Sequence, residues 1–303
     1  NIDFGKPRVM VAFSGDTGDT WSDSIELTAQ PQLAQEISPA ACSAELPSAV
    51  AIMDHNCSTG SNFTAAITWA HTGCSWATDK GPRVAWTRDA GRTWNSSYVP
   101  MNSSSVLVRN PQVLGLPMGG GSERWIVVWE TQGVWGTDVD LAVSYTDDLG
   151  ATWATASLLN SYGYSDPGVL EQSLNMANHG EVVVAVWQTK GLHGHDSDVM
   201  VSRSLDAGVT WTAAVTLNTN AEVDSGHDDG PVVATDGKGN WLAAWTSTHA
   251  IANSGFDHDI LFAWSTDNGT TWSAPSIVNT NAASDTGDDI APSVAYTSDG
   301  TWT

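Results

Sequence analysis

Paired aspartates recur in this chain at a fixed interval. Asp138 and Asp140, Asp196 and Asp198, and Asp257 and Asp259 are each two residues apart, and the pairs follow one another at 58 and 61 residues. A second acidic series falls between them: Asp224, Asp228 and Asp229, then Asp285, Asp288 and Asp289. Carboxylates crowded in this way favour a counter-ion, and Ca2+ accepts roughly six to eight oxygen ligands. No cofactor is required by this pattern; the first reading is that these aspartates cap turns and face solvent, and calcium is the one ion they are suited to hold. His193, His195, His227 and His258 lie beside them, where a transition metal would need them to converge. Paired carboxylates also serve glycoside hydrolysis, and Glu130 or Glu171 would then act as the acid.

The elements that position these residues announce themselves through a turn motif. Ser/Thr-x-Asp-x-Gly-x-Thr-Trp occurs five times, with aspartates Asp16, Asp89, Asp148, Asp206 and Asp267 at spacings of 73, 59, 58 and 61 residues. Its glycines are Gly18, Gly91, Gly150, Gly208 and Gly269, and its tryptophans Trp21, Trp94, Trp153, Trp211 and Trp272. The carboxylate accepts backbone N–H bonds of a tight turn, glycine takes a positive φ, and tryptophan buries its ring against the corner. These aspartates are consumed by the turn, so a structural staple is predicted and no catalysis.

Short apolar runs fill the intervals. Trp69, Trp129, Trp187 and Trp245 are predicted to end strands of about four to six residues, and no helical stretch of useful length is present. Each period holds an innermost strand such as Gly230–Ala234 or Pro292–Ala295, the strand ending in tryptophan, the strand entering the turn motif, and an outer strand such as Ala274–Val278. Four antiparallel strands in about 60 residues describe one blade of a β-propeller. The fold class is all-β, with blade portions near 1–40, 41–105, 106–163, 164–222, 223–283 and 284–303 of a single domain, 1–303. Trp302 aligns with Trp241 and Trp125, which places the next repeated tryptophan at position 306. The chain thus reads as an incomplete piece of a six- or seven-bladed ring, with five blades closed by both termini as the alternative.

In up-and-down topology the aspartate pairs emerge on one face and the turn motifs on the other. At blade spacing the repeated tryptophans are core, whereas Trp76 and Trp135 fall in loops and suit ligand contact. A net charge of −23 repels nucleic acid and anionic membranes, and no apolar run is long enough to span a bilayer. The chain opens at Asn1-Ile2-Asp3 without an apolar leader, so a leader has been removed or the sequence is part of a longer chain. Cys42, Cys57 and Cys74 lie in one repeat, and Cys57–Cys74 is the expected disulfide. Asn56, Asn62, Asn95, Asn102 and Asn268 stand in glycosylation sequons, which together with the cysteines points to a secreted or cell-surface protein.

The turn motif resembles the Asp-box, or BNR repeat, of the sialidase superfamily, and the likeness covers nearly the whole chain. The full repeats opening at Asn218-Thr219-Asn220-Ala221 and Asn279-Thr280-Asn281-Ala282 are similar to tandem sialidase-like repeats of large secreted or surface proteins. Sialidase resemblance implies three arginines gripping a substrate carboxylate, a Tyr–Glu nucleophile pair and an Asp acid/base. Arg88 and Arg92 lie inside a box, which leaves Arg8, Arg83, Arg109, Arg124 and Arg203, none in the Arg-Ile-Pro motif of that family. Tyr162 or Tyr164 with Glu171 is the best Tyr–Glu pair. The acidic face would repel sialate. The expected function is a non-enzymatic extracellular binding or structural module, with carbohydrate or protein as partner and self-assembly as a further option. The alternative is an exo-sialidase or related glycoside hydrolase whose catalytic residues lie partly outside this chain.

Overall fold

The computed structural model describes residues 10–12, 23–26, 45–54, 63–71, 80–89, 91–101, 107–163, 165, 168–223, 225–249, 251, 257–284 and 286–303. Cys42, Cys57, Cys74, Trp76, Tyr164, Asp224, Asp285, the first turn motif with Asp16, Gly18 and Trp21, and the sequons at Asn56, Asn62 and Asn102 lie outside them.

Eighteen strands are found among these residues. They are β1 (Met10–Val11), β2 (Ile25–Glu26), β3 (Glu45–Asp54), β4 (Phe63–His71), β5 (Lys80–Thr87), β6 (Asn95–Pro100), β7 (Leu107–Pro117), β8 (Glu123–Gln132) and β9 (Val139–Thr146). Then follow β10 (Ser157–Leu158), β11 (Leu170–His179), β12 (Val182–Lys190), β13 (Ser197–Ser204), β14 (Val215–Thr216), β15 (Asp228–Thr235), β16 (Trp241–Ser247), β17 (Asp259–Ser265) and β18 (Ser276–Ile277). Strands β3–β6 form one four-stranded antiparallel sheet and β15–β18 another, each in sequence order. Strands β7–β10 and β11–β14 make two more blades, linked by a short parallel bridge between Leu170 and Val139. Residues 290–303 hold the isolated bridge Tyr296–Trp302 in place of the strand expected at Pro292–Ala295.

The chain divides into two compact units, residues 1–129 with 144–156 and residues 130–143 with 157–303, so that β8 and β9 each contribute to both. In the second unit Val184, Val186, Val199 and Val201 pack on Trp241, Ala243, Trp245, Leu261 and Ala263. Strand β12 is buried along almost its whole length, as an inner strand covered on both faces must be. In the first unit Ala65, Ile67, Trp69, Val84, Trp125 and Trp129 are buried.

The four described turn motifs share one geometry. In the last, Ser265 Oγ donates to Asp267 Oδ1 at 2.8 Å, Thr271 N donates to the same oxygen at 2.9 Å, and Thr271 Oγ1 donates to Oδ2 at 2.7 Å. Asp89, Asp148 and Asp206 repeat the set. Gly269 has φ +72°, and a Cβ there would lie 2.8 Å from Val184 Cγ2, so the glycine both turns the chain and admits the neighbouring blade.

Strand ends differ from the sequence expectation. β8, β12 and β16 run two or three residues past Trp129, Trp187 and Trp245. The residues beyond tryptophan are polar and read as loop, yet Glu130, Thr131, Gln188, Thr189, Thr246 and Ser247 are buried and paired in the sheet.

Candidate active site at the acidic strand ends

The paired aspartates begin as short-range features and finish as long-range ones. Asp138, Asp140, Asp196, Asp198 and Asp259 are all buried, so the expectation that they face solvent does not describe them. Each inner member is held by an asparagine twenty residues on. Asn160 Nδ2 donates to Asp140 at 3.2 Å, Asn218 Nδ2 to Asp198 at 3.0 Å, and Asn279 Nδ2 to Asp259 at 2.7 Å. The amide oxygens of Asn160 and Asn218 accept the N–H of Leu141 and Val199, both at 3.0 Å. Sequence reasoning missed these asparagines, although each stands twelve residues after a box aspartate. In the β3–β6 blade Gly81 and Met101 stand where the inner aspartate and its asparagine stand elsewhere, and Met101 lies where a side chain on Gly81 would meet it.

A second asparagine bond crosses to the next blade. Asn218 Nδ2 also donates to Asp228 Oδ2 at 2.7 Å, and Trp245 Nε1 donates to Asp228 Oδ1 at 2.9 Å. Burial raises the Asp198 carboxyl above its usual range; the Asn218 bond opposes this and the nearby Asp196 charge adds to it. Each of these asparagine bonds occupies one carboxylate oxygen, Oδ1, of Asp140, Asp198 and Asp259. Among the described residues no three His, Cys, Asp or Glu side chains are grouped to hold a metal ion. His227 Nδ1 instead accepts the Ser197 N–H at 3.1 Å, and His258 Nδ1 lies 2.9 Å from Asp288 Oδ1.

After three of the four repeated tryptophans a polar residue bonds to backbone some forty residues further on, in β11, in β15 and, from Thr246, at Ala291 outside any strand; Ala70 stands at the fourth place. Glu130 Oε1 accepts the Ser173 N–H at 3.0 Å, Gln188 Oε1 the Gly230 N–H at 3.5 Å, and Thr246 Oγ1 the Ala291 N–H at 3.2 Å. Ser173, Gly230 and Ala291 have φ of +56°, +59° and +58°, and β11 and β15 bulge there. Two residues before each bulge stands a carboxylate, Glu171, Asp228 or Asp289. Glu171 is fully buried, and Thr189 Oγ1 donates to its Oε1 at 3.5 Å. Only at Glu130 and Glu171, among these three junctions, do both positions hold carboxylates; the others pair Gln188 with Asp228 and Thr246 with Asp289. Trp135 is half-buried in the bend between β8 and β9 on the same strand ends.

The arginines serve other ends. Arg83 is buried beneath Trp69 and Tyr98, with its centre 5.7 and 5.2 Å from the two rings, and donates to Ser96. Arg124 pairs with Asp147 at 2.6 Å beside a box, and Arg203 reaches Asn268 O and Thr270 Oγ1 of the box in the following blade. Arg109 is exposed on β7, and Arg8 lies outside the described residues. Tyr162 sits in the turn after Asn160, its carbonyl accepting the Ser165 N–H.

No family profile and no curated protein matches the chain. Solved structures do. The GH93 α-L-arabinofuranosidase of Fusarium graminearum, in complex with arabinobiose, superposes with a TM-score of 0.53 at 15% identity, over 84% of this chain and 68% of that one. The same fungal enzyme with an iminosugar inhibitor gives a TM-score of 0.53 at 14% identity over the same shares. NanB sialidase of Streptococcus pneumoniae aligns over 91% of this chain and 57% of its own, at 10% identity and a TM-score of 0.48. At such identities the likeness to the arabinofuranosidase is one of fold, and it agrees with the strand order: an all-β propeller built of antiparallel sheets.

Proposed function

We propose that this protein acts on carbohydrate outside the cell as a glycoside hydrolase, with Glu130 and Glu171 as its two carboxylates. The observation that carries the reading is the departure from repeat at one blade junction. After the other repeated tryptophans stand Ala70, Gln188 and Thr246, and a carboxylate at this place appears at Glu130 alone among the four. Near-repeats that diverge at one place tend to diverge for function.

Two carboxylates suffice for glycosidic cleavage: one protonates the departing oxygen and the other activates water or attacks the sugar. Glu130 already accepts a backbone N–H through Oε1, which suits the acceptor role of base or nucleophile. Glu171, enclosed at the head of β11, would then supply the proton. The fold neighbour that binds arabinobiose supports carbohydrate as the ligand class. Strong acidity suits an extracellular setting, and none of the described helices is long and apolar enough to cross a membrane.

A panel of chromogenic glycosides, including an α-L-arabinofuranoside and a sialoside, tests the reading. Turnover of one glycoside, lost by about a thousandfold or more in both Glu130→Gln and Glu171→Gln while melting temperature holds, is the expected result. Turnover that survives both changes would overturn it.

A non-enzymatic binding module is the second reading, and one observation favours it: Glu130 and Glu171 are only 3% and 0% exposed. Carbohydrate binding without turnover of any glycoside, together with a large loss of stability in both Gln variants, would decide for it.

A further inference from the structure

We propose that Trp135 and Asp138 form a subsite for an uncharged sugar at the end of the β8–β9 hairpin. The inference rests on the carbohydrate reading above and adds the substrate's charge class and a named contact.

Strands β8 and β9 are joined by a bend over Gly133–Asp138, where Gly133 takes φ +87°. Trp135 stands at the middle of this bend and is half-buried, unlike the repeated tryptophans Trp129, Trp187 and Trp245, which are fully enclosed. It belongs to neither tryptophan column, and one period later His193 takes its place. An indole that is neither core nor column offers a flat apolar face to the C–H side of a sugar ring.

Asp138 supplies the polar half. It is 5% exposed; Oδ2 accepts the Gly168 N–H at 3.0 Å, while Oδ1 has no protein hydrogen bond. That second oxygen is turned into the bend, since a Cβ on Gly136 would collide with it. A buried carboxylate oxygen without a donor is costly to maintain, and a sugar hydroxyl is a donor of the right kind.

Charge sets the class of sugar. Lys190, Arg203 and Lys238 are the Lys and Arg residues of the second unit. Arg203 is bound to a box turn, and Lys238 lies in the 236–240 turn at the box end of its blade. Lys190, exposed at the end of β12 and in register with Leu170 and Ser197, is the one of the three at the strand ends that also carry Glu130, Asp138, Asp196 and Asp198. A uronate or sialate entering there meets an excess of carboxylates over the single Lys190, whereas a neutral sugar is not repelled.

Titration calorimetry with neutral oligosaccharides (arabinan, xylan and galactan fragments) and anionic ones (oligogalacturonate, sialyllactose) tests this in wild type, Trp135→Ala and Trp135→Phe. A neutral oligosaccharide should bind, weaken about tenfold in Trp135→Ala, and stay within about threefold in Trp135→Phe. Unchanged melting temperatures show that the variants fold. Equal binding by Trp135→Ala, or tighter binding of an anionic sugar, overturns the subsite while leaving the carbohydrate reading intact. Failure of wild type to bind or cleave any of these sugars removes both.

Discussion

Asp198 and Asp267 show how one residue type is driven in opposite directions by its surroundings. Asp267 accepts the Thr271 N–H and side-chain bonds from Thr271 and Ser265, and its carboxyl is lowered to about 2. Asp148 is lowered likewise, chiefly by Thr152. Lowered carboxyls contribute stability that is present above the ordinary value of 3.8 and is lost as pH falls towards 2. Asp198, raised by burial, contributes in the opposite sense: its stabilising share is present below 3.8 and is lost as pH rises through its folded value. Melting temperature should therefore fall steeply below about pH 3.8. Asp267→Asn should cost about 1 kcal/mol at neutral pH, the usual value of a lost turn cap. Asp198→Asn should be neutral or stabilising at pH 7, an advantage that shrinks as pH falls below the folded value of Asp198. Melting curves of the three proteins across pH 2–8 check all of this, and a lower melting point for Asp198→Asn at pH 7 contradicts it. The asparagine partner behaves differently. Asn218→Ala removes donors to Asp198 and Asp228 and the acceptor for Val199 N–H, all buried, and should cost about 1–3 kcal/mol or more by denaturant unfolding.

At the scale of strands and turns, the box corner is a joint between blades as well as a hairpin end. Gly269 rests on Val184, and Arg203 bonds to the same turn from the preceding blade. Gly269→Ala therefore meets two obstacles, positive φ and contact with Val184 Cγ2, and should destabilise by about 1–3 kcal/mol in chemical denaturation. An unaffected midpoint would mean that the blades do not press on each other there. The corner was legible in the sequence because its chemistry is local: Asp, Gly, Thr and Trp act within eight residues. The four-strand period and the buried tryptophan columns followed from the same spacing. Glu130, Gln188 and Thr246 were less legible, because a polar residue after Trp129, Trp187 or Trp245 looks like a strand end. What engages it is a positive-φ backbone position some forty residues further along the chain. The Asn160, Asn218 and Asn279 bonds were hidden for a similar reason: an asparagine reads as turn former until its aspartate partner, twenty residues earlier, is placed beside it. The acidic pairs were recognised, but their burial was not, since nothing local in Asp-x-Asp says that an amide covers it.

Across the whole molecule, charge outweighs any single contact. A net −23 over 303 residues leaves the folded state repelling itself, and the second unit carries Lys190, Arg203 and Lys238 against its rows of carboxylates. Hydrogen bonds at Asp140, Asp198 and Asp267 are short-range and indifferent to salt, whereas the repulsion between exposed acids acts over distances comparable to the Debye length. That length falls from about 30 Å at 0.01 M salt to about 3 Å at 1 M. The unfolded chain spreads the same charge over a larger volume, so screening favours the folded state. Melting temperature should therefore rise with sodium chloride, by several degrees between about 0.01 and 0.5 M, and level off as the Debye length drops below the spacing of neighbouring acids. Potassium and sodium should act alike, because screening does not distinguish them. A scan in which the melting point is flat or falls with salt would show that cross-blade bonds such as Asn218–Asp228, and not the surface field, limit stability. A rise specific to calcium at millimolar concentration, far below the ionic strength needed for screening, would instead point to a bound ion at the acidic strand ends.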